Sequence, residues 1–180
     1  MQKRNKLILV SILTIAFVVI LDQITKHIIH TNFTLYEVRP VLADFFNIVY
    51  ARNYGAAFSF LNDAPVWFRT PFFMIVPIAA MILVGFLLRN SLKKGKENIY
   101  QVVAFSLIIG GAMGNFMNRL TYGYVVDFLQ FKITETYYWP SFNVADMAIT
   151  LAVALLFIEM MSVEKKRKRE NKNKVVNKKA

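Results

Sequence analysis

Two aspartates, Asp127 and Asp146, stand in otherwise apolar surroundings, the first within Tyr124-Val125-Val126-Asp127-Phe128-Leu129 and the second shortly after Phe142. Two carboxyl groups brought to one site cannot both ionise cheaply. Such a pair holds one proton between its members and titrates as a unit. That is the equipment of aspartic amide hydrolysis. The ionised partner takes a proton from the attacking water, and the protonated partner donates to the scissile carbonyl oxygen. The other residues that bear on this chemistry are Asp22, Lys26, Asn115, Arg119 and Asn143. Asp22 and Lys26 are spaced i,i+4 and can pair on one helix face, and Arg119 could neutralise one further aspartate. A satisfied structural network therefore competes with catalysis as the reading of this set, and for Asp22 and Lys26 it is the preferred one. Three aspartates facing two cations still leave one carboxylate in surplus.

Other chemistries have less to build on. The only histidines, His27 and His30, lie i,i+3 without a third zinc ligand, and there is no cysteine to act as nucleophile or metal ligand. Ser59 and Ser141 lack a nucleophile-elbow pattern. No metal and no cofactor is expected.

The elements that must position these residues are membrane helices. The chain of 180 residues is 56% hydrophobic, with a mean hydropathy of +0.41. A bilayer core about 30 Å thick needs roughly 20 apolar residues of helix. Four stretches fit: Leu7 to Lys26, Pro71 to Leu88, Ile99 to Met117 and Phe142 to Met161. The first has the basic start of a signal peptide, but it runs on into Asp22 and Lys26 with no small-residue cleavage site, which predicts a retained helix. Gly110 and Gly114 form a small-xxx-small pair suited to close helix packing.

Basic residues give the orientation, since cytoplasmic segments carry the excess. Three lie before the first span, four between Arg89 and Lys96 and nine between Lys165 and Lys179, against three between Thr31 and Thr70 and two between Arg119 and Pro140. Both termini are therefore expected in the cytoplasm. This distribution accounts for the net charge of +11 better than nucleic acid does, because the basic residues are not interleaved with exposed aromatics. Residues 164–180 are too charged to fold alone, so one domain over 1–163 is expected, followed by a disordered basic tail.

Ionisable groups in a span cost about 2.5 to 3.5 kcal/mol each and need a partner or a purpose. At 1.5 Å per residue, Asp22 and Lys26 lie roughly 23 and 29 Å along the first span and Asn115 roughly 24 Å along the third, while Asp146 is only about 6 Å into the fourth. All of them, with Arg119, Asn143 and Asp127, fall at the outer face. A transporter or proton-coupled channel would instead spread its acids through the bilayer. Within the external segment 31–70, Phe46 to Tyr50 has a strand period, Asn53-Tyr54-Gly55 is a turn signal, and Pro65 to Arg69 is an aromatic interfacial stretch.

Taken together these segments resemble the lipoprotein signal peptidase (signal peptidase II) family. The resemblance rests on Leu21-Asp22-Gln23-Ile24-Thr25-Lys26, Arg52-Asn53-Tyr54-Gly55-Ala56-Ala57-Phe58, Gly114-Asn115-Phe116-Met117-Asn118-Arg119 with Gly123-Tyr124-Val125-Val126-Asp127-Phe128, and Phe142-Asn143-Val144-Ala145-Asp146. It implies an all-α membrane fold of four transmembrane helices with a small external β-sheet cradle and a short external interfacial helix. By position it implies an Asp127–Asp146 catalytic dyad. Asn53, Gly55, Asn115, Arg119 and Asn143 would orient the dyad or bind substrate, and Asp22, Lys26 and Asn118 would give polar support. The implied substrate is a diacylglyceryl prolipoprotein cut just before its lipidated cysteine, in the bacterial cytoplasmic (inner) membrane among membrane lipids, with the active site toward the external face. The implied inhibitor is globomycin. Asn118 departs from the family, which usually has aspartate there. If that aspartate holds Arg119, an asparagine keeps the hydrogen bond but loses its charge assistance.

Overall fold

The computed structural model describes residues 2–42, 45–55, 61, 64–93 and 99–177. Four helices, α1 (Gln2–Asn32), α2 (Val66–Lys93), α3 (Ile99–Tyr122) and α4 (Val144–Asn177), and three strands, β1 (Val38–Leu42), β2 (Phe46–Asn53) and β3 (Val125–Phe131), follow in the order α1-β1-β2-α2-α3-β3-α4. All four helices are long and apolar enough to cross a membrane. Their surfaces agree with this, since large apolar side chains such as Phe17, Ile82, Leu83 and Phe157 are more than half exposed. Water would penalise so much apolar surface, whereas lipid does not.

α3 is the central element and packs against the other three helices, while α1 also meets α4. Small residues make this possible. A methyl group on Gly111 would come within 2.5 Å of the Ala145 carbonyl oxygen, and one on Gly114 within 2.5 Å of Asp22 Oδ2. The glycines thus let α3 touch α4 and α1 at backbone distance, as the small-residue spacing predicts. Val18, Ala104, Leu107, Ala148 and Ala152 fill the seam, and the Ser106 hydroxyl donates to Ser11 Oγ at 2.8 Å across α3 and α1.

The sheet is antiparallel in the order β1-β2-β3 and caps one end of the bundle. The strand period read over Phe46 to Tyr50 is present as β2. Burial follows it only in part, because Asn47, Val49 and Tyr50 are all inside. Ile48 pairs with Leu129 but Ala51 pairs with Asp127, so β2 carries one extra residue, and this bulge turns Tyr50 inward after Val49. β3 was not evident from its sequence, in which apolar residues flank Asp127 on both sides without alternation. Its register against β2 and the isolated bridge of Leu129 to Phe142 make it a strand buried from both sides.

α1 extends beyond the predicted span, and Ile29 and Phe33 support the sheet from beneath together with Tyr50, Tyr124, Val126 and Phe128. The aromatic stretch expected as a short interfacial helix is helical from Val66, but it forms the opening turns of α2. The basic segment, expected as a disordered tail, continues α4 as helix to Asn177, with Lys168 paired to Glu164 at 2.6 Å. Ala56, Ala57, Phe58 and Ser59 lie outside the described residues, as do Lys94, Lys96 and the last three residues.

Candidate active site

The turn from α3 into β3 sets the position of Asp127. α3 ends at Tyr122, and Gly123 takes φ +77°, the left-handed conformation that glycine adopts without strain. The Gly123 amide donates to the Arg119 carbonyl at 3.0 Å. Strand alternation then sends Val126 and Phe128 into the core under the sheet and Asp127 to the opposite side. There Asp127 is 3% exposed.

Asp146 is placed by the start of α4. The Asp146 amide donates to Asn143 Oδ1 at 3.1 Å, and the Asn143 amide donates to Asp146 Oδ2 at 3.1 Å. This is a reciprocal capping box, with Asn143 as N-cap and Asp146 at the third helical position. The fourth predicted span therefore begins two residues late, because Phe142 and Asn143 belong to the cap. The cap gives Asn143 a role that the polar pattern alone did not disclose, although the Asn-x-x-Asp spacing carries its signal.

Asparagine side chains link the two carboxylates. Asn143 Nδ2 donates to Asp127 Oδ1 at 2.6 Å, and Asn53 Nδ2 donates to Asp127 Oδ2 at 2.9 Å. Asn115 Nδ2 donates to Asp146 Oδ1 at 2.8 Å. Asn115 is itself oriented, since its Oδ1 accepts Lys26 Nζ at 2.7 Å and Asn143 Nδ2 at 3.2 Å, which turns its amide group toward Asp146. Lys26 also pairs with Asp22 Oδ2 at 2.8 Å, with both side chains buried. Asp22 Oδ1 accepts the Ala145 amide at 3.0 Å and so joins α1 to the first turn of α4. Burial, reinforced by the charge of Asp146, pushes the Asp127 carboxyl up to about 7.

The structure thus joins Asp22, Lys26, Asn53, Asn115, Asp127, Asn143 and Asp146 in one network. Arg119 stands apart from it. Its Nη2 donates to the Gly55 carbonyl at 2.7 Å, its guanidinium lies 5.1 Å from the centre of the Phe73 ring, and its Nε has no hydrogen-bond partner among the described residues. Arg119 therefore neutralises neither aspartate by direct pairing. Gly55 is held in turn by an Asx-turn, its amide donating to Asn53 Oδ1 at 2.9 Å. Asn118 does not hold Arg119 either. Its Oδ1 accepts the Val126 amide at 3.2 Å and its Nδ2 donates to Gln23 Oε1 at 3.3 Å, so it anchors β3 beside Asp127. Successive residues on a helix point about 100° apart, which separates Asn118 from its neighbour. Gln23 also donates to Asp22 and to the Gly114 carbonyl, each at 3.0 Å. Sequence reasoning missed it, and its place beside Asp22 was the only signal.

Asp127, Asp146 and Asn53 share a pocket of about 560 Å³. Trp139, Pro140, Ser141 and Phe142 form one side, and Met147, Thr150, Leu151 and Ala154 continue it along one face of α4. The polar groups are gathered at one end of a mainly apolar trough. Such a site can hold a reacting amide against two carboxyls while an apolar segment lies along the helix.

A family model described as Signal peptidase (SPase) II matches residues 14–162. Proteins named lipoprotein signal peptidase from Syntrophus aciditrophicus and Haemophilus ducreyi are 40% and 43% identical to this chain, over 91% and 83% of it and 99% and 89% of their own lengths. A solved structure, titled as a bacterial membrane enzyme determined by the in meso method at 1.9 Å resolution, is 35% identical with a TM-score of 0.73, covering 84% of this chain and 92% of that one.

Proposed function

This chain belongs to the signal peptidase II family, and we propose that it cleaves its substrate with the Asp127–Asp146 dyad and a water molecule. As a member of that family it is a multi-pass bacterial membrane protease that removes signal peptides from prolipoproteins. The finer reading is that the bond cut lies just before a diacylglyceryl-modified cysteine. The observation that carries the dyad is the pocket in which both carboxylates meet, each held by neutral amides.

In this mechanism Asp127 carries the shared proton, in keeping with its buried, raised carboxyl. Asp146 is assigned as the ionised partner, since it sits in the first turn of α4, where the helix dipole favours negative charge, and accepts the Asn143 backbone amide. Asp146 takes a proton from the water as it attacks the scissile carbon. Asp127 donates to the carbonyl oxygen, and the leaving amine is protonated as the intermediate collapses. Asn53, Asn115 and Asn143 fix the two carboxyls, while Asp22, Lys26 and Asn118 hold the helices and β3 around them. The Nε–H of Arg119, which has no partner among the described residues, is a donor for a substrate carbonyl near Gly55. The trough along α4 suits the apolar signal helix. By the distribution of basic residues the termini are cytoplasmic and the dyad faces outward.

Incubation of the purified chain with a diacylglyceryl prolipoprotein tests this reading. Release of the signal peptide, blocked by globomycin and absent in Asp127→Asn and Asp146→Asn, is the expected result. Cleavage at the wild-type rate by either variant overturns the dyad.

A further inference from the structure

Beside the catalytic pocket lies a second one, of about 380 Å³, lined by Phe45, Phe131, Ile133, Trp139 and Phe142. Its size is within the range of small-ligand sites, and among the described residues none of its lining side chains is charged. It is built where the chain after β3 turns back on itself. The Lys132 amide donates to the Phe45 carbonyl at 2.8 Å, and the Trp139 amide donates to the Phe131 carbonyl at 2.8 Å. The rings of Phe45 and Phe131 lie 5.2 Å apart and those of Phe131 and Phe142 5.8 Å. Although the walls are in mutual contact, Phe45, Ile133 and Trp139 are 53%, 55% and 42% exposed, so the mouth is open.

Trp139 and Phe142 are walls of both pockets. The Phe142 carbonyl accepts the amides of Phe128 and Leu129 at 2.9 and 2.8 Å, which fixes the shared wall next to Asp127. Whatever fills the second pocket therefore lies against the same Trp139 and Phe142 side chains that border the pocket of Asp127 and Asp146. A peptide segment is a poor occupant, because its amides would find almost no partner there. A hydrocarbon chain has no polar group to strand.

We propose that this pocket receives one fatty acyl chain of the substrate's diacylglyceryl group. The assignment rests on the reading of the chain as a peptidase of diacylglyceryl prolipoproteins. In such a substrate the acyl esters branch from the cysteine thioether only a few bonds beyond the scissile amide. A chain leaving the dyad past Trp139 and Phe142 meets the open pocket at once, while the second chain remains in the bilayer. Acyl length then becomes part of substrate recognition.

The test compares the full-length enzyme with Phe45→Asp and Ile133→Glu in nanodiscs made with a short-chain and, separately, a long-chain phospholipid, on dipalmitoyl and dibutanoyl forms of one prolipoprotein. Both positions are exposed, so thermal unfolding close to that of the wild type is expected and is checked first. The ratio of kcat/KM for the dipalmitoyl over the dibutanoyl substrate falls about tenfold in each variant, mainly through KM, an effect equal to roughly two buried methylene groups. Ile133→Leu keeps the wild-type ratio. An unchanged ratio in both acidic variants overturns the assignment. So does a ratio that follows the acyl length of the nanodisc phospholipid, which would mark the pocket as a bilayer contact. If the wild-type enzyme cuts neither substrate, it is the peptidase reading that fails.

Discussion

Two buried acidic sites lie side by side in this protein, and they are held in opposite ways. Asp22 on α1 has a cation in direct contact, Lys26 at 2.8 Å, and its other oxygen takes the Ala145 amide. Asp127 and Asp146 receive their hydrogen bonds from Asn53, Asn115, Asn143 and one backbone amide, and no described ion pair includes either of them. A carboxylate tied to a cation on its own helix and to a backbone amide of another fixes structure. A carboxyl held by neutral donors and pressed by a second carboxylate keeps access to both protonation states, which acid–base chemistry requires. Lys26 also serves the second site at one remove, because it orients the Asn115 amide that faces Asp146.

Removing one carboxylate from the dyad sharpens the contrast most. Asp127→Asn or Asp146→Asn is expected to lower kcat/KM by at least about 10³-fold. Circular dichroism and thermal unfolding should show folded proteins, since no buried cation loses its partner. Lys26→Met should behave in the reverse manner. It strands Asp22 and frees Asn115, with an expected stability loss of about 3–5 kcal/mol in chemical unfolding. Adding Asp22→Leu should recover much of that stability without restoring wild-type activity, because Asn115 is still unoriented. A Lys26→Met protein as stable as the wild type would break the comparison.

The third expectation concerns pH. The Asp127 carboxyl sits above its unfolded value, so the folded state binds the extra proton between the two values. Its contribution to stability is present at low pH and is lost as pH rises from about 4 to about 7. Thermal unfolding across that window should fall for the wild type and lose this component in Asp127→Asn. In the same titration kcat/KM should decline above about 7, as the acid loses its proton. The smallest effect is expected far from both sites. Ser106→Ala removes the hydroxyl bond to Ser11 and should cost about 0.6 kcal/mol in unfolding, with cleavage unaffected.

Much of this arrangement was legible from residue types. Four apolar runs announced four helices, and helical rise placed Asp22, Lys26, Asn115 and Asp146 at one level, because each helix has a fixed length per residue. The Asx-turn at Asn53 and Gly55 was signalled by its residues. The stretch Val125–Phe131 was not readable as a strand, because a segment covered on both faces loses its alternation. Arg119 and Asn118 show another limit. Their adjacency in sequence suggested mutual support, yet helical geometry sends Arg119 to Gly55 and Asn118 to Val126 and Gln23.

The sequence by itself determined the membrane helices, the expected orientation, the level of the polar layer and the presence of a surplus carboxylate. These follow from local quantities: hydropathy, rise per residue and charge. Only the tertiary structure decided that Arg119 turns to Gly55 and pairs with neither Asp127 nor Asp146. That depends on side-chain directions and on contacts between residues as distant in sequence as Asp22 and Ala145. Depth along a helix axis is additive along the chain, whereas the partner at a given depth is set by how helices rotate and pack against one another. Here the glycines of α3 allow the close approach of α1 and α4 in which the Ala145 amide reaches Asp22.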